Sequence, residues 1–144
     1  MEEYRLLPVI GEIRSQVLNL LEENDLPVAD LDQSKNLFAL VQNNEVIGTG
    51  GLEFFKDCAL VRSVSVRKGL RGLGWGKAIN KELEIISRQN GIRCLFLLTT
   101  TAEGFFDKEG YVVTKREEVP LSIKSSSEFS SLCPSSAIVM KKIL

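Results

Sequence analysis

The sequence contains no histidine. This absence removes the side chain that most often serves as general base or metal ligand, and it excludes a Ser-His-Asp triad. Cysteine is also scarce, since Cys58, Cys94 and Cys133 are widely spaced and form no CxxC pair. The sequence therefore predicts buried, unpaired thiols, with neither a disulfide framework nor a zinc site, and the alternative is an arsenic- or metal-binding trithiolate. Any chemistry has to use carboxylates, hydroxyls, thiols, water or backbone groups.

The sequence also has nearly equal numbers of positive and negative charges, so that its formal net charge is -1. A nucleic-acid-binding protein usually has a strongly basic face, so we expect no nucleic-acid partner. No apolar run in the sequence approaches the ~20 residues of a membrane span. The acidic start, "MEEYRLLPVI", does not have the pattern of a signal peptide. We expect a cytoplasmic protein without a membrane partner, folded as one domain over residues 1–144.

Hydrophobic periodicity predicts a mixed α/β protein with the order β-α-α-β-β-β-α-β-α-β-β and an antiparallel meander in its middle. The second helix is short and follows Pro27, and the last segment, "AIVMKKIL", is an edge strand. The strand "VIGTGGLEFF" has glycines that mark either a bulge or a close ligand approach. In the strand "CALVRSVSVR", alternation places Leu60, Arg62, Val64 and Val66 on one face.

The stretch "VRKGLRGLGWGKA", residues 66–78, joins the last of these strands to a predicted helix. Free N–H groups of a glycine-rich turn and of the first helical turn converge on one point, where the helix dipole favours an anion. The glycines leave room for that anion and the basic side chains surround it: Gly72, Gly74 and Gly76, with Arg67, Lys68, Arg71 and Lys77. The spacing fits neither a Walker loop nor a dinucleotide fingerprint. We predict a pyrophosphate site, and the alternative is a flexible loop that only caps the helix.

The segment "RGLGWG" resembles the R/Q-x-x-G-x-G/A motif of the GNAT superfamily of N-acetyltransferases. The resemblance covers most of the chain, because "LVRSVSV", "CLFLLTT" and "FFDKEGY" are similar to that superfamily's fourth strand, fifth strand and closing helix and turn. It implies a single-domain α/β GNAT fold, in which helices flank a mixed, mostly antiparallel central sheet. It leaves a homodimer open.

Two narrower resemblances follow. The stretch "LFLLTTTAEGFFDKEGY" resembles the acetyltransferase domain of N-acetylglutamate synthases. The ending "EFSSLCPSSAIVMKKIL" resembles small acetyltransferases encoded with arsenic-resistance genes. The substrates of this second group are poorly defined, and a sibling group acetylates phosphinothricin-like and arsenic-containing amino acids. The resemblance therefore implies a small, amino-acid-like amine as the acceptor.

The GNAT resemblance implies acetyl-CoA as co-substrate, with no metal. The pantetheine arm would pair with the strand backbone as an added strand, and the pyrophosphate would bind the amides of the glycine stretch. The implied cofactor-binding residues are Val64, Ser65, Val66, Arg71, Gly72, Gly74, Trp75, Gly76, Lys77 and Phe106. The amine would attack the thioester directly, so no covalent enzyme intermediate is implied.

The superfamily commonly has a tyrosine that protonates the thiolate, and the matching position here is Phe106. Thr99 is our candidate for a nearby hydroxyl, and its alternative is a β-forming residue at a strand end. Glu53 is the candidate base, acting directly or through a water, and its alternative is a solvated or salt-bridged strand residue.

Arg62 lies in an otherwise apolar strand, where an unpaired charge would be costly. We predict that it binds a substrate carboxylate, and the alternative is a structural ion pair with Glu53 or Asp57. Ser63 and Cys133 complete the predicted acceptor site. Two other functions stay open: a module that binds acetyl-CoA without catalysis, and a peptide or protein N-acetyltransferase.

Overall fold

A computed structural model describes residues 4–11, 13–29, 31, 36–126, 129 and 136–144. Within these ranges the strands are β1 Arg5–Pro8, β2 Asn36–Gln42, β3 Glu45–Phe55, β4 Cys58–Val66, β5 Cys94–Thr99, β6 Val112–Val113 and β7 Ile138–Ile143. The α-helices are α1 Ile13–Glu23, α2 Trp75–Gln89, α3 Glu103–Lys108 and α4 Leu121–Lys124, and a 3-10 turn spans Arg116–Glu118. None of the helices in the described part of the chain is long and apolar enough to span a bilayer.

The strands form one mixed sheet in the order β1-β2-β3-β4-β5-β7-β6. Every neighbouring pair is antiparallel except β4 and β5, which are parallel. This confirms the predicted α/β class with a mostly antiparallel sheet. The prediction of an edge position for the last strand was wrong, because β7 lies between β5 and β6. Its Val139 and Met140 are buried at 3% and 0% exposure, as an inner strand requires.

Two helix predictions also need correction. Residues 26–29 and 31, where a short second helix was expected after Pro27, are not helical. The chain instead forms α4 within a segment for which no helix was predicted. This helix is only four residues long, and such a short segment carries no recognisable periodicity.

The glycines of β3 lie under α2. A Cβ atom added at Gly48 would come within 2.7 Å of Ile79 Cδ1 and of the Ser65 carbonyl oxygen. At Gly50 it would lie 2.9 Å from Ile79 Cγ2. Because proteins pack their interiors closely, these positions have no space for a side chain. The absence of side chains at Gly48 and Gly50 therefore lets α2 pack closely on β3. Of the two predicted explanations for the β3 glycines, a close ligand approach is wrong at these two positions.

The predicted bulge is present, and it lies in β4 opposite those glycines. Gly51 pairs with Arg62 and Thr49 pairs with Ser65, so two β4 residues lie opposite Gly50 alone. Ser63 takes the left-handed backbone conformation, with φ of 58°. An extra residue shifts the alternation of side chains beyond it.

The bulge corrects the predicted faces of β4. Val64 and Val66 pack with Val61 in the core cluster under α2, whereas Leu60 packs in a different cluster with Phe96. Simple alternation had placed Leu60 on the same face as Val64 and Val66, and this was wrong because the strand contains one residue more than its partner. As a result, Val64 and Val66 lie on the face of the sheet that packs against α2.

Candidate active site

A cleft of about 880 Å³ opens between β4 and β5. In the described chain the two strands pair only where Cys58, Ala59 and Leu60 meet Cys94, Leu95 and Phe96. Beyond this closed end they separate, and residues 61–66 and 97–101 line the opposite walls of the cleft. Backbone groups of β4 that would otherwise bond to β5 therefore face a space that an extended ligand could fill.

The glycine loop and the start of α2 form one end of this cleft. Gly72 and Gly74 have φ values of 81° and 93°, in the left-handed region that side chains other than glycine rarely adopt. Gly74 is the N-cap of α2, and the first helical bond runs from the Ala78 N–H to the Gly74 carbonyl at 3.1 Å. The three amides before Ala78 have no helical carbonyl one turn earlier to bond to, so they can bind an anion in the cleft.

Gly76 has a different reason to be glycine. A Cβ atom at this position would lie 3.3 Å from the Phe105 ring, so the absent side chain lets α3 pack against the start of α2. Packing against Phe105 therefore accounts for Gly76, and the role of Gly72 and Gly74 in making room for an anion stays a prediction.

Of the basic residues around the loop, Lys68, Arg71 and Lys77 line the cleft. Arg67 does not, since its guanidinium lies 3.4 Å from Glu45 on the neighbouring strand. The Arg71 guanidinium is held by two acceptors, with Nε donating to the Val66 carbonyl at 3.3 Å and Nη2 donating to Asn24 Oδ1. Positive charge is thus concentrated where the helix amides point.

A sequence model of the acetyltransferase (GNAT) domain family matches residues 33–113, which is more than half of the chain. The chain belongs to the GNAT acetyltransferase family. This confirms the resemblance that "RGLGWG" and its flanking strands indicated.

Known relatives agree with this assignment. An uncharacterised N-acetyltransferase of Chlorobaculum tepidum is 27% identical over 94 residues, which are 65% of this chain and 60% of that protein. N-acetylglutamate synthase of Neisseria gonorrhoeae, solved with coenzyme A and N-acetyl-glutamate, has a TM-score of 0.83 and 16% identity, and covers 100% of this chain. The match spans only 36% of that synthase. Rv2747 of Mycobacterium tuberculosis, solved with CoA, has a TM-score of 0.78 and 19% identity, with 99% of each chain covered.

Most of the predicted site residues of this GNAT chain line the one cleft. They are Arg62, Ser63, Val64, Ser65, Val66, Arg71, Gly72, Gly74, Gly76, Lys77, Thr99 and Phe106. Glu53 and Trp75 do not line it. The Trp75 ring is buried edge-on against Tyr4, at 5.4 Å between centroids, so only its backbone amide is available to a ligand. Cys133 lies outside the described residues.

Arg62 and Glu53 meet on the paired strands β4 and β3. Arg62 Nη1 lies 3.8 Å from Glu53 Oε2, and their side chains are 0% and 13% exposed. Arg62 Nε also donates to Ser63 Oγ at 3.3 Å. The structural ion pair that the sequence offered as an alternative is therefore present, and it lies against the wall of the cleft that Arg62 lines. Because Glu53 does not line the cleft, its predicted role as base fits action through a water better than direct contact with the substrate.

Thr99, Phe106 and Tyr111 lie near the end of β5 and differ in whether they can donate a hydrogen bond into the cleft. Thr99 is 8% exposed, and its Oγ1 accepts the Ala102 N–H at 2.9 Å, which leaves its hydroxyl hydrogen available to the cleft. Phe106 lines the cleft and has no hydroxyl to donate. Tyr111 packs edge-on against Phe106 in the core, and burial raises the pKa of its phenol. Thr99 and Phe106 line the cleft and Tyr111 does not, so Thr99 stays the candidate hydroxyl of the site.

Sequence reasoning missed Thr49. Its Oγ1 donates to the Ser63 carbonyl at 2.6 Å and lies 2.5 Å from Ser65 Oγ. Because one hydroxyl has a single hydrogen, Ser65 must donate to Thr49 when Thr49 donates to the bulge. Thr49 is fully buried, and its hydrogen bond to the Ser63 carbonyl supports the left-handed backbone conformation of Ser63. No local signal identifies it, since its partners are on another strand.

The two described cysteines lie at the closed end of the β4–β5 pair. Cys58 and Cys94 are directly paired in register and both are free thiols. Burial, with Cys94 and Asp57 nearby, raises the pKa of the Cys58 thiol to about 11. Burial also raises the pKa of the Cys94 thiol. These thiols are protonated at neutral pH, so neither is an activated nucleophile.

Proposed function

We propose that this chain is an acetyl-CoA-dependent N-acetyltransferase that acts on a small, amino-acid-like amine. The observation that carries the proposal is the cleft itself: β4 and β5 pair at one end, separate at the other, and direct the gap onto the glycine loop and the first turn of α2. The family assignment supports the reaction class, and two structures of similar fold contain coenzyme A.

The cofactor would lie along β4. Its pantetheine arm would bond to the backbone of Val64, Ser65 and Val66, which line the cleft where β5 has separated. Its pyrophosphate would accept hydrogen bonds from the amides between Gly72 and Lys77, assisted by the Arg71 guanidinium. The thioester then lies between the bulge of β4 and the end of β5, beside Thr99 and Phe106.

The reaction proposed is direct acyl transfer. The neutral amine nitrogen forms a bond to the thioester carbon, the carbon–sulfur bond breaks, and the departing electron pair remains on the CoA thiolate. The ammonium proton is lost to solvent or, through a water, to Glu53, and the thiolate takes a proton from solvent. The Thr99 hydroxyl, which lines the cleft, would donate to the oxyanion or to the leaving sulfur.

An amino-acid-like acceptor is supported by Arg62. Its buried guanidinium lies against the cleft wall, beside Glu53 and Ser63. The Neisseria synthase of similar fold was solved with N-acetyl-glutamate and, in a second structure, with L-arginine. Because arginine binds carboxylates in a planar, two-pronged geometry, a guanidinium beside the cleft suits an acceptor that has a carboxylate.

The test is release of free CoA thiol from acetyl-CoA, measured over a panel of amino acids and related amines. We expect turnover with at least one amino acid and none with its N-blocked form. Arg71→Glu should raise the dissociation constant of acetyl-CoA by at least about 30-fold, because it replaces attraction to the pyrophosphate with repulsion.

Arg93→Glu is the matched control, since Arg93 is exposed next to the closed end of the strand pair and does not line the cleft. It should bind acetyl-CoA like the unmodified protein. Equal losses in the two variants, or no binding by the unmodified protein, would contradict the proposal.

A second function is favoured by Phe106, which stands where the family commonly has a proton-donating tyrosine. On this alternative the chain binds acetyl-CoA but transfers nothing. Tight binding of acetyl-CoA with no thiol release across the whole panel would support it over catalysis.

A further inference from the structure

The end of α1 is shaped to hold one side chain in place. The Leu26 N–H bonds to the Leu21 carbonyl at 3.0 Å and the Asp25 N–H bonds to the Glu22 carbonyl at 3.1 Å, with Asp25 in the left-handed conformation at φ of 57°. This is the Schellman pattern of helix termination, here with aspartate where glycine is usual. Leu21 and Leu26 also pack in one cluster, as that motif requires. Asn24 is therefore the C-cap residue of α1.

The side chain of Asn24 bridges two elements. Its Nδ2 donates to the Leu20 carbonyl at 3.0 Å, which fixes the direction of the amide group. Its Oδ1 then accepts a hydrogen bond from Arg71 Nη2 in the glycine loop. Both residues line the same cleft, although they are far apart in the sequence.

Arg71 keeps unused donors while it is held in this way. A guanidinium has five N–H groups. One of them, on Nε, bonds to the Val66 carbonyl, and one on Nη2 bonds to Asn24. The remaining three can donate to an anion without breaking either contact. The side chain is exposed, so without these two contacts it would lose considerable conformational freedom on binding a ligand.

We propose that Asn24 is a positioning residue for the cofactor: it holds the Arg71 guanidinium in the orientation that binds the pyrophosphate of acetyl-CoA. This inference rests on the proposed function. It adds a residue from α1, outside the glycine loop, to the groups that determine cofactor affinity. Asn24 acts through Arg71 and needs no contact with the cofactor itself.

The experiment is a double-mutant cycle on CoA affinity, measured by calorimetry with the unmodified protein, Asn24→Ala, Arg71→Ala and the double variant. Asn24→Ala should raise the dissociation constant of CoA about 5-fold, in line with the net contribution of one ordinary hydrogen bond, because Asn24 acts on the cofactor only through Arg71. In the Arg71→Ala background the same change should have no further effect. In turnover, Asn24→Ala should raise KM for acetyl-CoA and leave kcat nearly unchanged.

Asn90→Ala is the matched control. Asn90 is the C-cap residue of α2, and its Nδ2 donates to the Ile86 carbonyl at 2.8 Å just as Asn24 donates to Leu20. It does not line the cleft. The two alanine variants should lower the melting temperature by similar amounts, but only Asn24→Ala should weaken CoA binding.

The outcomes separate this inference from the proposed function. If the unmodified protein binds no CoA, the proposed function fails. If it binds CoA and Asn24→Ala binds equally well, only the positioning role fails. The role also fails if Asn24→Ala weakens binding as much in the Arg71→Ala background, or if Asn90→Ala weakens it equally.

Discussion

Two groups of glycines adjoin α2, one in the strand beneath it and one in the loop before it, and different constraints require glycine in each. At Gly48 and Gly50 of β3 an added Cβ would meet atoms of α2 or β4 at 2.7–3.0 Å, so these positions lack space. At Gly72 nothing lies within 4 Å of the added atom, and the constraint is the backbone φ of 81°. One group lets the helix approach the sheet, and the other shapes a loop with open space in front of it.

We therefore expect the β3 glycines to contribute to the stability of the fold and the loop glycine to contribute to ligand binding. The helix that packs on the β3 glycines is the same helix whose first turn presents its amides to the cleft. Substitutions in β3 should therefore destabilise the fold, whereas substitutions in the loop should weaken cofactor binding more than they destabilise the protein. The variants below test that separation, starting with the largest expected effect.

Gly48→Ala should reduce the free energy of unfolding by about 3 kcal/mol, because overpacking against a backbone carbonyl cannot be relieved by moving a flexible side chain. Urea denaturation measures this loss. Gly104→Ala is the control, since an added Cβ there has no neighbour within 4 Å and the residue lies in α3. It should leave stability unchanged or raise it by up to about 1 kcal/mol, because alanine favours the helix more than glycine does. Equal stability of the two variants would contradict the packing explanation.

Gly72→Ala should raise the dissociation constant of CoA about 10-fold while costing only about 1 kcal/mol of stability, since alanine disfavours the left-handed backbone and distorts the loop. Gly69→Ala is the matched control: its φ is 92°, it is also in open space, and it does not line the cleft. We expect the same stability loss from it, with CoA affinity changed less than about 2-fold. If both variants lose affinity equally, the loop acts only as a flexible connection.

Gly76→Ala should give the smallest effect, and it tests both explanations at once. The added methyl would lie 3.3 Å from the Phe105 ring, so a small shift of α3 can accommodate it. We expect a stability loss of about 1 kcal/mol and a rise of about 2-fold in the CoA dissociation constant. An affinity loss larger than that of Gly72→Ala would mean that Gly76 is glycine to make room for the ligand and not for the packing of α3.

Much of the fold could be predicted because its signals are local. The strand–loop–helix junction from Val66 to Ala78, the amphipathic α2 and the apolar β5 follow from periodicity and glycine spacing. The position of β7 between β5 and β6 could not be predicted, because strand pairing between distant segments depends on the tertiary structure. The faces of β4 were misassigned because the glycines indicated a bulge in β3, whereas the extra residue lies in β4.

The candidate site also has residues that the sequence could predict and residues that it could not. The residues of the glycine stretch were found because their chemistry is contiguous, and the Arg62–Glu53 pair was found as an alternative because a buried charge needs a partner. Thr49 and Asn24 were missed, since each acts on a residue of another element. The placement of the cofactor, the role of Glu53 and the link to arsenic resistance stay predictions.

The most direct test of the account is a crystal structure of this protein with CoA. The account predicts pyrophosphate oxygens about 3 Å from the backbone amides between Gly72 and Lys77, with the Arg71 guanidinium bonded to both Asn24 and a phosphate. A CoA molecule whose pyrophosphate lies away from these amides, or crystals in which this corner stays empty at saturating CoA, would contradict it.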